Sequence, residues 1–424
     1  MDVLIIGGGG REHALAWKLK QSPRINKLYI APGNGGTRLL GENVSIEATD
    51  IQNLAKFVEE KHIELTIVGP DDPLALGIVD FFIQRGLRIW GPTKSAALIE
   101  SSKAFSKRLM AEASIPTAEF RVFTAYDDAR LYVEKKGVPI VIKASGLALG
   151  KGVYVCHTLE EADTALKEIM CDRVYHDSGN EVVVEECLDG PEISIHALSD
   201  GDAFVVFPPS QDHKRAHDGD MGPNTGGMGA IAPVPDISEK TMREIEREIL
   251  GPTLNALQKR GSKFIGLLYP GLKMTSKGKR VLEFNARFGD PETQVYMRLM
   301  KTDLLELIEA SMDGMLKGKT IEWKKGYAVN IVLASAGYPV SYEKGFVIHG
   351  TEDAEKVEGV IVFHAGTKYE NRQLVTNGGR VLGVSATGKT LKEALGRAYE
   401  AVERIHFKGK QFRKDIGANA SRRK

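Results

Sequence analysis

The sequence predicts an α/β protein that begins with a parallel sheet and continues through several mixed units. Short apolar strands at residues 2–6, 27–31, 65–68 and 87–90 alternate with segments of helical spacing. Strands that alternate with helices form parallel sheets, and such sheets bind ligands at the carboxyl ends of their strands. Glycine- and proline-rich turns follow the strands at those ends. We therefore expect a ligand site at that edge of the sheet.

The length and composition are those of a globular protein with several structural units. The chain has 424 residues, and domains average roughly 150 residues, which predicts two to four units. A net charge of +1 gives no field that would attract nucleic acid or a membrane surface. Three cysteines without metal-ligand spacing argue against a disulfide framework. Without a leader or an apolar run near the roughly 20 residues that cross a bilayer, we expect a cytoplasmic protein.

The pattern of the chain changes after residue 100. A helix is expected in residues 100–120, before Pro116, and residues 74–85 are expected to form one earlier helix. From about residue 326 the chain starts afresh with short strands, and a helix at residues 391–405 closes it. The predicted units are residues 1–100, residues 101–120 with 187–325, residues 121–186, and residues 326–424.

Residues 281–294, VLEFNARFGDPETQ, contain the most informative pattern. Alternate side chains of a strand share a face, so Glu283 and Asn285 would point the same way with β-carbons roughly 7 Å apart. A carboxylate and an amide oxygen can bind Mg²⁺ at nucleotide phosphates. Arg287 and the acid pair Asp290 and Glu292 follow, which suggests a site for both phosphate and an amine. The alternative is an edge strand that ends in a charged turn.

Residues 138–155, VPIVIKASGLALGKGVYV, predict a hairpin flap over phosphates. A strand ends near Lys143, a glycine loop follows, and Lys151 precedes the next strand. Glycines let backbone N–H groups approach phosphate oxygens, and lysines act on them as point charges. The segment lacks the Gly-Lys-Ser/Thr that opens a helix in a Walker A loop. The alternative is a surface hairpin with two exposed lysines.

Two further segments follow the flap. The strand in VVVEECLD, residues 182–189, leads into acids and could place backbone groups at an adenine edge, with Glu192 on the ribose hydroxyls. Acids after a strand are also often simply solvated. Residues 210–229, SQDHKRAHDGDMGPNTGGMG, are too rich in charge and glycine for an ordinary loop, which predicts a functional one. His213 within it could be a general base, but a histidine beside Lys214 and Arg215 is more often structural.

The turn GGGGREH opens a helix near the amino terminus, so its N–H groups and the helix dipole suit an anion. It is similar to a dinucleotide fingerprint. However, the second strand ends in APGN, without the acid that holds a ribose hydroxyl in dinucleotide sites. A monophosphate or a sugar phosphate therefore fits this turn better than NAD.

In this order the motifs resemble the glycinamide ribonucleotide synthetases (phosphoribosylamine–glycine ligases) of the ATP-grasp superfamily. The resemblance spans essentially the whole chain, and QDHKR with GPNTGGMGA and EFNARFGDPETQ are its most specific parts. It implies an ATP-grasp fold with an amino-terminal parallel α/β (pre-ATP-grasp) domain, a flap-like small domain and a carboxy-terminal mixed domain. It also implies that ATP drives ligation of glycine to 5-phosphoribosylamine through glycyl phosphate, in de novo purine synthesis, with Mg²⁺ or Mn²⁺.

The resemblance implies a role for each residue that matches the family motifs. The metal ligands would be Glu283 and Asn285, and the reacting groups would be contacted by Arg287, Asp212, Asp290 and Lys214. ATP would be held by Lys103, Lys143, Gly146, Gly150, Lys151, Gly152, Glu185, Glu186, Leu188 and Glu192. Glycine and phosphoribosylamine would meet Gly9, Gly10, Arg11, Glu12, His13, Asn34, Gly69, Pro70, Asp71, Asn224, Thr225, Gly227, Gly289 and Pro291.

Other hypotheses remain open at this point. One is an ATP-grasp ligase or carboxylase that acts on a different amine or acid, and another is a non-catalytic nucleotide-binding module. The chain also departs from the family at Lys273, where methionine is usual, and a lysine stem there could extend outward or its amine could touch phosphate. The expected partners are small molecules, with a monomeric enzyme in transient contact with neighbouring purine-pathway enzymes.

Overall fold

The computed structural model describes residues 1–148 and 152–421. The strands are β1 Asp2–Gly7, β2 Lys27–Pro32, β3 Glu42–Asn43, β4 Leu65–Val68, β5 Ile89–Trp90, β6 Phe120–Phe123, β7 Ile140–Ala144, β8 Val153–Cys156, β9 Val182–Glu186, β10 Glu192–Ser194, β11 Ala197–Asp200, β12 Phe204–Val206, β13 Gln211–Asp212, β14 Arg215–His217, β15 Met221–Asn224, β16 Gly229–Ala232, β17 Ile265–Thr275, β18 Gly278–Asn285, β19 Tyr327–Ser335, β20 Val360–His364, β21 Thr367–Glu370, β22 Gln373–Thr376, β23 Arg380–Gly388 and β24 Lys410–Gln411.

The helices lie between these strands and on the faces of the sheets. They are α1 Gly10–Leu19, α2 Ile51–Lys61, α3 Asp71–Leu76, α4 Ile78–Gln84, α5 Lys94–Ser101, α6 Lys103–Glu112, α7 Tyr126–Lys136, α8 Leu159–Leu166, α9 Glu239–Ile245, α10 Gly251–Lys259, α11 Glu292–Leu299, α12 Leu304–Met312, α13 Thr351–Glu355, α14 Leu391–Arg404 and α15 Ala418–Ser421. Within the described ranges no helix combines the length and the apolar character needed to cross a bilayer.

The first sheet has the order β3-β2-β1-β4-β5 and is parallel throughout. This confirms the α/β fold and the parallel sheet predicted for the amino-terminal part. The single helix predicted at residues 74–85 is divided in two, because Gly77 has a φ of +95° and ends α3 before α4 begins. A left-handed conformation of this kind is readily adopted only by glycine.

A small antiparallel sheet of order β6-β9-β7-β8 follows, with α7 and α8 packed against it. Strands β7 and β8 pair antiparallel, as the hairpin prediction requires. The helix expected in residues 100–120 is again shorter than predicted. Ser102 is extended and its side chain accepts a hydrogen bond from the Phe105 N–H, so α6 begins at Lys103 as a separate helix. The Ser102 cap therefore fixes the backbone position of Lys103, the first residue of α6.

The central sheet has the order β10-β17-β11-β12, and β18 pairs with β17. The carboxy-terminal sheet has the order β13-β16-β19-β23-β20, with β24 also paired to β19. Residues 210–229 therefore differ from the long loop that the sequence predicted. They contribute β13 and the start of β16 to the carboxy-terminal sheet, and β14 and β15 form a separate hairpin between them.

One hydrophobic core joins the beginning of the chain to its later parts. Buried residues of β1 and α1 share a cluster with α11, α12 and β20. At this junction the ring of Phe363 meets His13 edge-on, with ring centroids 5.6 Å apart. The His364 N–H donates a hydrogen bond of 2.7 Å to Nδ1 of His13. The first sheet is thus held against the carboxy-terminal sheet by packing and by a buried histidine pair.

We predict that this histidine pair makes stability fall in weak acid. Burial lowers the pKa of His364 from 6.5 to about 4. Between these pH values the unfolded state binds a proton that the folded state does not, so the free energy of unfolding falls as the pH is lowered. His364→Gln should reduce that fall by on the order of 3 kcal/mol in urea titrations between pH 7 and pH 4. Replacement of the exposed His157 by Gln is the control, and equal pH profiles for His364→Gln and wild type would contradict the prediction.

Candidate active site

A cavity of about 1440 Å³ lies where the first, small, central and carboxy-terminal sheets meet. The predicted residues that line it are Arg11, Asp71, Lys103, Lys143, Gly152, Glu185, Glu186, Leu188, Glu192, Asp212, Lys214, Asn224, Thr225, Glu283, Asn285, Arg287 and Asp290. Those outside the lining are Gly9, Gly10, Glu12, His13, Asn34, Gly69, Pro70, Gly146, Gly227, Gly289 and Pro291. Gly150 and Lys151 lie outside the described residues.

Glu283 and Asn285 occupy alternate positions of β18 and both reach the cavity. Burial alone would raise the pKa of Glu283, but the surrounding lysine ammonium groups, above all that of Lys214, lower it to about 2. The carboxylate is therefore ionised at neutral pH. In the described ranges, His, Cys, Asp and Glu side chains nowhere converge in threes to hold a metal. A pair of protein oxygens fits Mg²⁺, which keeps waters and completes its shell with substrate phosphates.

A buried chain of charges forms the wall next to this pair. Glu185 is 2% exposed and lies 2.5 Å from the ammonium groups of both Lys143 and Lys107. Burial and the neighbouring charges lower the pKa of Lys107 to about 8, with desolvation as the main cause and Glu185 opposing it. Lys103 Nζ donates a hydrogen bond of 3.2 Å to the Gly146 carbonyl at the base of the flap. The lysines are thus fixed before any phosphate binds.

Lys214 extends from the segment after β13 into the same wall. Its ammonium lies 2.5 Å from a carboxylate oxygen of Glu192 and 3.4 Å from one of Glu283. Burial would lower the pKa of Lys214, but Glu192 and Glu283 raise it well above its ordinary value. The side chain therefore carries a positive charge between the two carboxylates, where a nucleotide phosphate would also be attracted.

Asp212 presents a carboxylate oxygen without a partner. Its Oδ1 atom is buried and forms no hydrogen bond in the described structure. Burial, with Glu292 nearby, raises the pKa of Asp212 well above its ordinary value. Glu292 itself accepts hydrogen bonds from Tyr269 at 2.6 Å and from Ser194 at 3.0 Å. A cation placed against Asp212 would satisfy the free oxygen and relieve the repulsion between the two acids.

Arg287 is aligned by Glu100, which the sequence analysis did not single out. The guanidinium lies 3.0 Å from one oxygen of Glu100, while the other oxygen accepts a hydrogen bond from the Ala286 N–H at 2.7 Å. Arg287 Nη2 also donates to Asn285 Oδ1 at 3.0 Å. Asn285 Oδ1, one of the two side-chain oxygens that would hold a metal, is thus also an acceptor for Arg287.

Asp290 was expected to bind the ammonium of an amino-acid substrate, but its charge is already engaged. One carboxylate oxygen lies 3.3 Å from Arg380, and the other accepts a hydrogen bond of 2.9 Å from Gln294. Arg380 also donates to the carbonyls of Gly226 and Asp290 at 2.6 and 2.7 Å. Arg380 therefore ties two cavity loops together, and Asp212 is the better candidate for an ammonium.

The glycines of the amino-terminal turn have a structural task that the sequence did not reveal. The Glu12 side chain folds back, and its carboxylate accepts a 2.6 Å hydrogen bond from the Gly9 N–H and contacts Arg11 Nε at 2.5 Å. A β-carbon at Gly7, Gly9 or Gly69 would collide with Glu12. These glycines therefore make room for an internal carboxylate, which already occupies the helix N-terminus proposed for an anion.

Asn34 and His13 are likewise engaged within the protein. The Asn34 amide nitrogen donates to the His364 carbonyl at 2.8 Å, and its oxygen accepts from the Gly36 N–H at 2.8 Å. His13 accepts from the His364 N–H. Both side chains therefore position the turn beside the cavity, while Arg11 and Asp71 reach its lining.

Lys273 lies at the end of the cavity near the predicted adenine linker. It is opposite Glu192 in the β10–β17 register, yet its Nζ donates to the Gly190 carbonyl at 3.0 Å. Its amine therefore binds the protein backbone after the linker. Of the two alternatives that the sequence left open, the outward-extended stem agrees with this geometry.

Several lining residues were missed because no local motif marks them. They include Glu100, Lys107, Tyr269 and Arg380. Lys107 follows Lys103 by one helical turn, so its place on the same face of α6 could have been inferred. Arg380 and Glu100 act through contacts between segments far apart in the chain, which spacing alone does not reveal.

Comparison with known proteins agrees with this architecture. Family models described as the N, ATP-grasp (A) and C domains of phosphoribosylglycinamide synthetase match residues 1–100, 101–293 and 328–419. The chain belongs to the phosphoribosylglycinamide synthetase family. The ATP-grasp fold expected from the resemblance is therefore confirmed.

Individual relatives cover almost the whole chain. A phosphoribosylamine–glycine ligase of Caldanaerobacter subterraneus is 49% identical over 418 residues, which are 99% of this chain and 100% of the relative. The enzyme of the same name from Yersinia pestis is 49% identical over 424 residues, 99% of each chain. The crystal structure of the Thermotoga maritima phosphoribosylamine–glycine ligase matches with a TM-score of 0.86 at 36% identity, over 98% of this chain and 100% of the other.

We predict that Glu185 contributes strongly to stability and that its neighbour Glu186 does not. Glu185→Ala leaves two buried lysines without their carboxylate, and breaking a buried ion pair in this way costs roughly 3–5 kcal/mol. The exposed Glu186 is the matched control, since alanine there removes only a surface charge. Equilibrium unfolding in urea measures both variants. Equal losses of the free energy of unfolding would contradict the prediction.

Proposed function

We propose that the cavity joins glycine to 5-phosphoribosylamine and converts ATP to ADP and phosphate, which makes glycinamide ribonucleotide. Relatives that match the full length of the chain carry the name phosphoribosylamine–glycine ligase. The observation that carries the proposal is the arrangement of charge in one cavity. Three lysines suited to phosphates surround Glu283, and Asp212 offers an unpartnered carboxylate oxygen suited to an amine.

The nucleotide would lie between the small and central sheets. Lys103, Lys143 and Lys214 would contact the phosphates. The linker from Glu186 to Leu188 would face the adenine edge, with Glu192 at the ribose. Mg²⁺ or Mn²⁺ would be held by Glu283 and Asn285, and such an ion neutralises charge on the phosphates and aligns them. The strands β7 and β8 on either side of the glycine loop would lie beside the phosphates; Gly150 and Lys151, which the sequence also assigns to ATP, lie outside the described residues.

Two displacements would then follow. A carboxylate oxygen of glycine attacks the γ-phosphorus of ATP, and the bond to the β-phosphate oxygen breaks, giving glycyl phosphate and ADP. The nitrogen of phosphoribosylamine next attacks the glycyl carbonyl carbon, and phosphate leaves with the bonding electrons. The nitrogen loses a proton, which the released phosphate can accept. Arg287 would stabilise negative charge on the acyl phosphate, since preorganised donors act strongly in a water-excluded site.

The two remaining substrates would approach from opposite sides of Arg287. The ammonium of glycine would lie on Asp212, near Asn224, Thr225 and Gly227. Phosphoribosylamine would lie toward the first sheet, where Arg11 and Asp71 line the cavity. This part of the site would also involve Gly9, Gly10, Glu12, His13, Asn34, Gly69, Pro70, Gly289 and Pro291, mainly through the positions they impose on the loops. Asp290 would help to position the surrounding loops through its ion pair with Arg380.

We further propose the division into an amino-terminal α/β domain, residues 1–100, a central ATP-grasp domain, residues 101–120 and 187–325, a flap subdomain, residues 121–186, and a carboxy-terminal domain, residues 326–424. The enzyme would act as a monomer in the cytoplasm, with transient contacts to neighbouring purine-pathway enzymes. Its substrates are small molecules, without nucleic acid or membrane as a partner.

Product identity tests the proposal directly. The purified chain is incubated with ATP, Mg²⁺, freshly made phosphoribosylamine and glycine, and the products are identified by mass spectrometry. Glycinamide ribonucleotide and ADP are expected in equal amounts, with none when glycine is left out. ADP formation that is independent of glycine, or that requires another amino acid or acid, would instead support an ATP-grasp enzyme for a different acceptor.

We predict that Glu283→Gln lowers kcat by roughly 100-fold or more, because the amide lacks the charge that holds the cation on the phosphates. Neighbouring Lys279 supplies a control, since Lys279→Gln removes a charge on the same strand that contacts Glu244 and Glu248 away from the cavity. Phosphate release at saturating ATP is the measurement. Turnover of Glu283→Gln within twofold of the control would refute the metal assignment.

We predict that Asp212→Asn raises the KM for glycine by about 10- to 100-fold, the size expected for losing a hydrogen bond to a charged group. The KM for phosphoribosylamine should change little, because that substrate lies on the other side of Arg287. Initial rates at varied glycine and phosphoribosylamine measure both constants. An equal increase in the two KM values would remove Asp212 from the glycine site.

A further inference from the structure

His213 lies between Asp212 and Lys214 and contributes to the cavity lining, but both of its ring nitrogens contact other segments. Its ring is 8% exposed, with Nδ1 at 3.3 Å from the Gly229 carbonyl, and Nε2 accepts the Gly417 N–H at 3.1 Å. Because side chains alternate along an extended chain, His213 faces the opposite side from Asp212 and Lys214. Burial and Arg413 lower the pKa of His213 to about 4, so the neutral ring keeps Nε2 as an acceptor. The histidine joins the site to the end of the chain.

Residues 413–417, the C-terminal strap, make further contacts with residues 212–225, the site loop. Arg413 is 1% exposed, and its Nη1 donates to Asp220 at 2.8 Å and to the Arg215 carbonyl at 3.2 Å. The Lys414 N–H donates to Asp218 Oδ1 at 2.8 Å. These hydrogen bonds hold both the beginning and the tip of the β14–β15 hairpin.

Asp415 completes the contact between the strap and the site loop. Its two oxygens accept hydrogen bonds of 2.7 Å from Nε and Nη2 of Arg413, and one of them also accepts the Gly219 N–H at 2.8 Å. Burial would raise the pKa of Asp415, but Arg413 and the Gly219 N–H lower it to about 2. The carboxylate is thus charged and links the guanidinium to the tip of the hairpin.

The strap has its own support on α14. The Tyr399 hydroxyl donates to the Arg413 carbonyl at 3.0 Å and accepts the Ile416 N–H at 3.1 Å. Within the site loop, the Lys214 carbonyl accepts both the N–H and the hydroxyl of Thr225, each at 2.8 Å. The hairpin therefore determines where the backbone of Lys214 lies, and the strap determines where the hairpin lies.

We propose that the C-terminal strap positions Asp212 and Lys214 for ligation, with His213, Arg413 and Asp415 as positioning residues. The inference rests on the proposed function, because it assigns these residues to the glycine and phosphate contacts. None of the three touches the reacting groups. A strap that only stabilised the fold would change the melting temperature without favouring one substrate over another.

Kinetics on the full chain test the proposal. Asp415→Asn keeps the side-chain shape but removes the negative charge that faces Arg413, and His213→Leu removes both ring hydrogen bonds. Each should raise the KM for glycine and for ATP by about tenfold, which corresponds to about 1.4 kcal/mol. The KM for phosphoribosylamine should stay within about twofold.

Two further variants serve as a rescue and a control. His213→Gln should show a smaller increase in the KM values for glycine and ATP than His213→Leu, because its amide retains a donor and an acceptor. Lys414→Ala is the control, since its exposed side chain is removed while its N–H remains.

In the double variant Asp415→Asn with His213→Leu, the KM for glycine and for ATP should rise by less than the product of the two single fold-increases, because both substitutions act through the same loop. Melting temperatures are measured for every variant. Equal changes in all three KM values, or lower melting temperatures with unchanged KM values, would overturn the proposal. If the wild-type chain itself makes no glycinamide ribonucleotide, the proposed function fails instead, which the wild-type assay shows separately.

Discussion

Opposite charges held side by side, buried around Glu185 and partly exposed around Lys214, form the constraint on which the rest of the site depends. Glu185 lies between Lys107 and Lys143, and Glu192 and Glu283 lie beside Lys214. Desolvation makes each of these charges costly unless its partner stays close. These pairs therefore hold the sheets at a fixed separation, and the neighbouring lysines keep Glu283 ionised. The geometry that the proposed phosphate site would need is thus set by charge balance within the protein.

The same reasoning extends to the edges of the cavity, where distant segments hold the loops. Arg380, at the start of β23 in the carboxy-terminal sheet, joins the loops that contain Gly226 and Asp290. Glu100, at the end of α5, aligns Arg287. Arg413 and Asp415 hold the loop of Lys214 from the end of the chain. Each of these groups is ionisable and at least half-buried, so its position is set by its partner. Reactive side chains on loops thereby gain the precision normally found on strands.

Much of the fold and of the site could be predicted from the sequence, because alternation and glycine turns are local signals. The parallel sheet, the β7–β8 hairpin and the strand of Glu283 and Asn285 follow from such patterns. The break at Gly77 was missed because the flanking residues retain helical periodicity through it. The sequence also did not reveal that the Glu12 side chain folds back onto the turn. A glycine turn before a helix looks the same in sequence whether it binds an external anion or an internal carboxylate.

That internal carboxylate has a consequence for selectivity. The space under the first turn of α1, which receives a pyrophosphate in dinucleotide-binding folds, is filled by Glu12. A second anion there would meet a negative charge at hydrogen-bonding distance from the same N–H. The Glu12 carboxylate thus blocks the position below α1 that the pyrophosphate of a dinucleotide would need. Arg11 and Asp71, in contrast, remain in the lining of the cavity beside it, where the proposed sugar-phosphate substrate would lie.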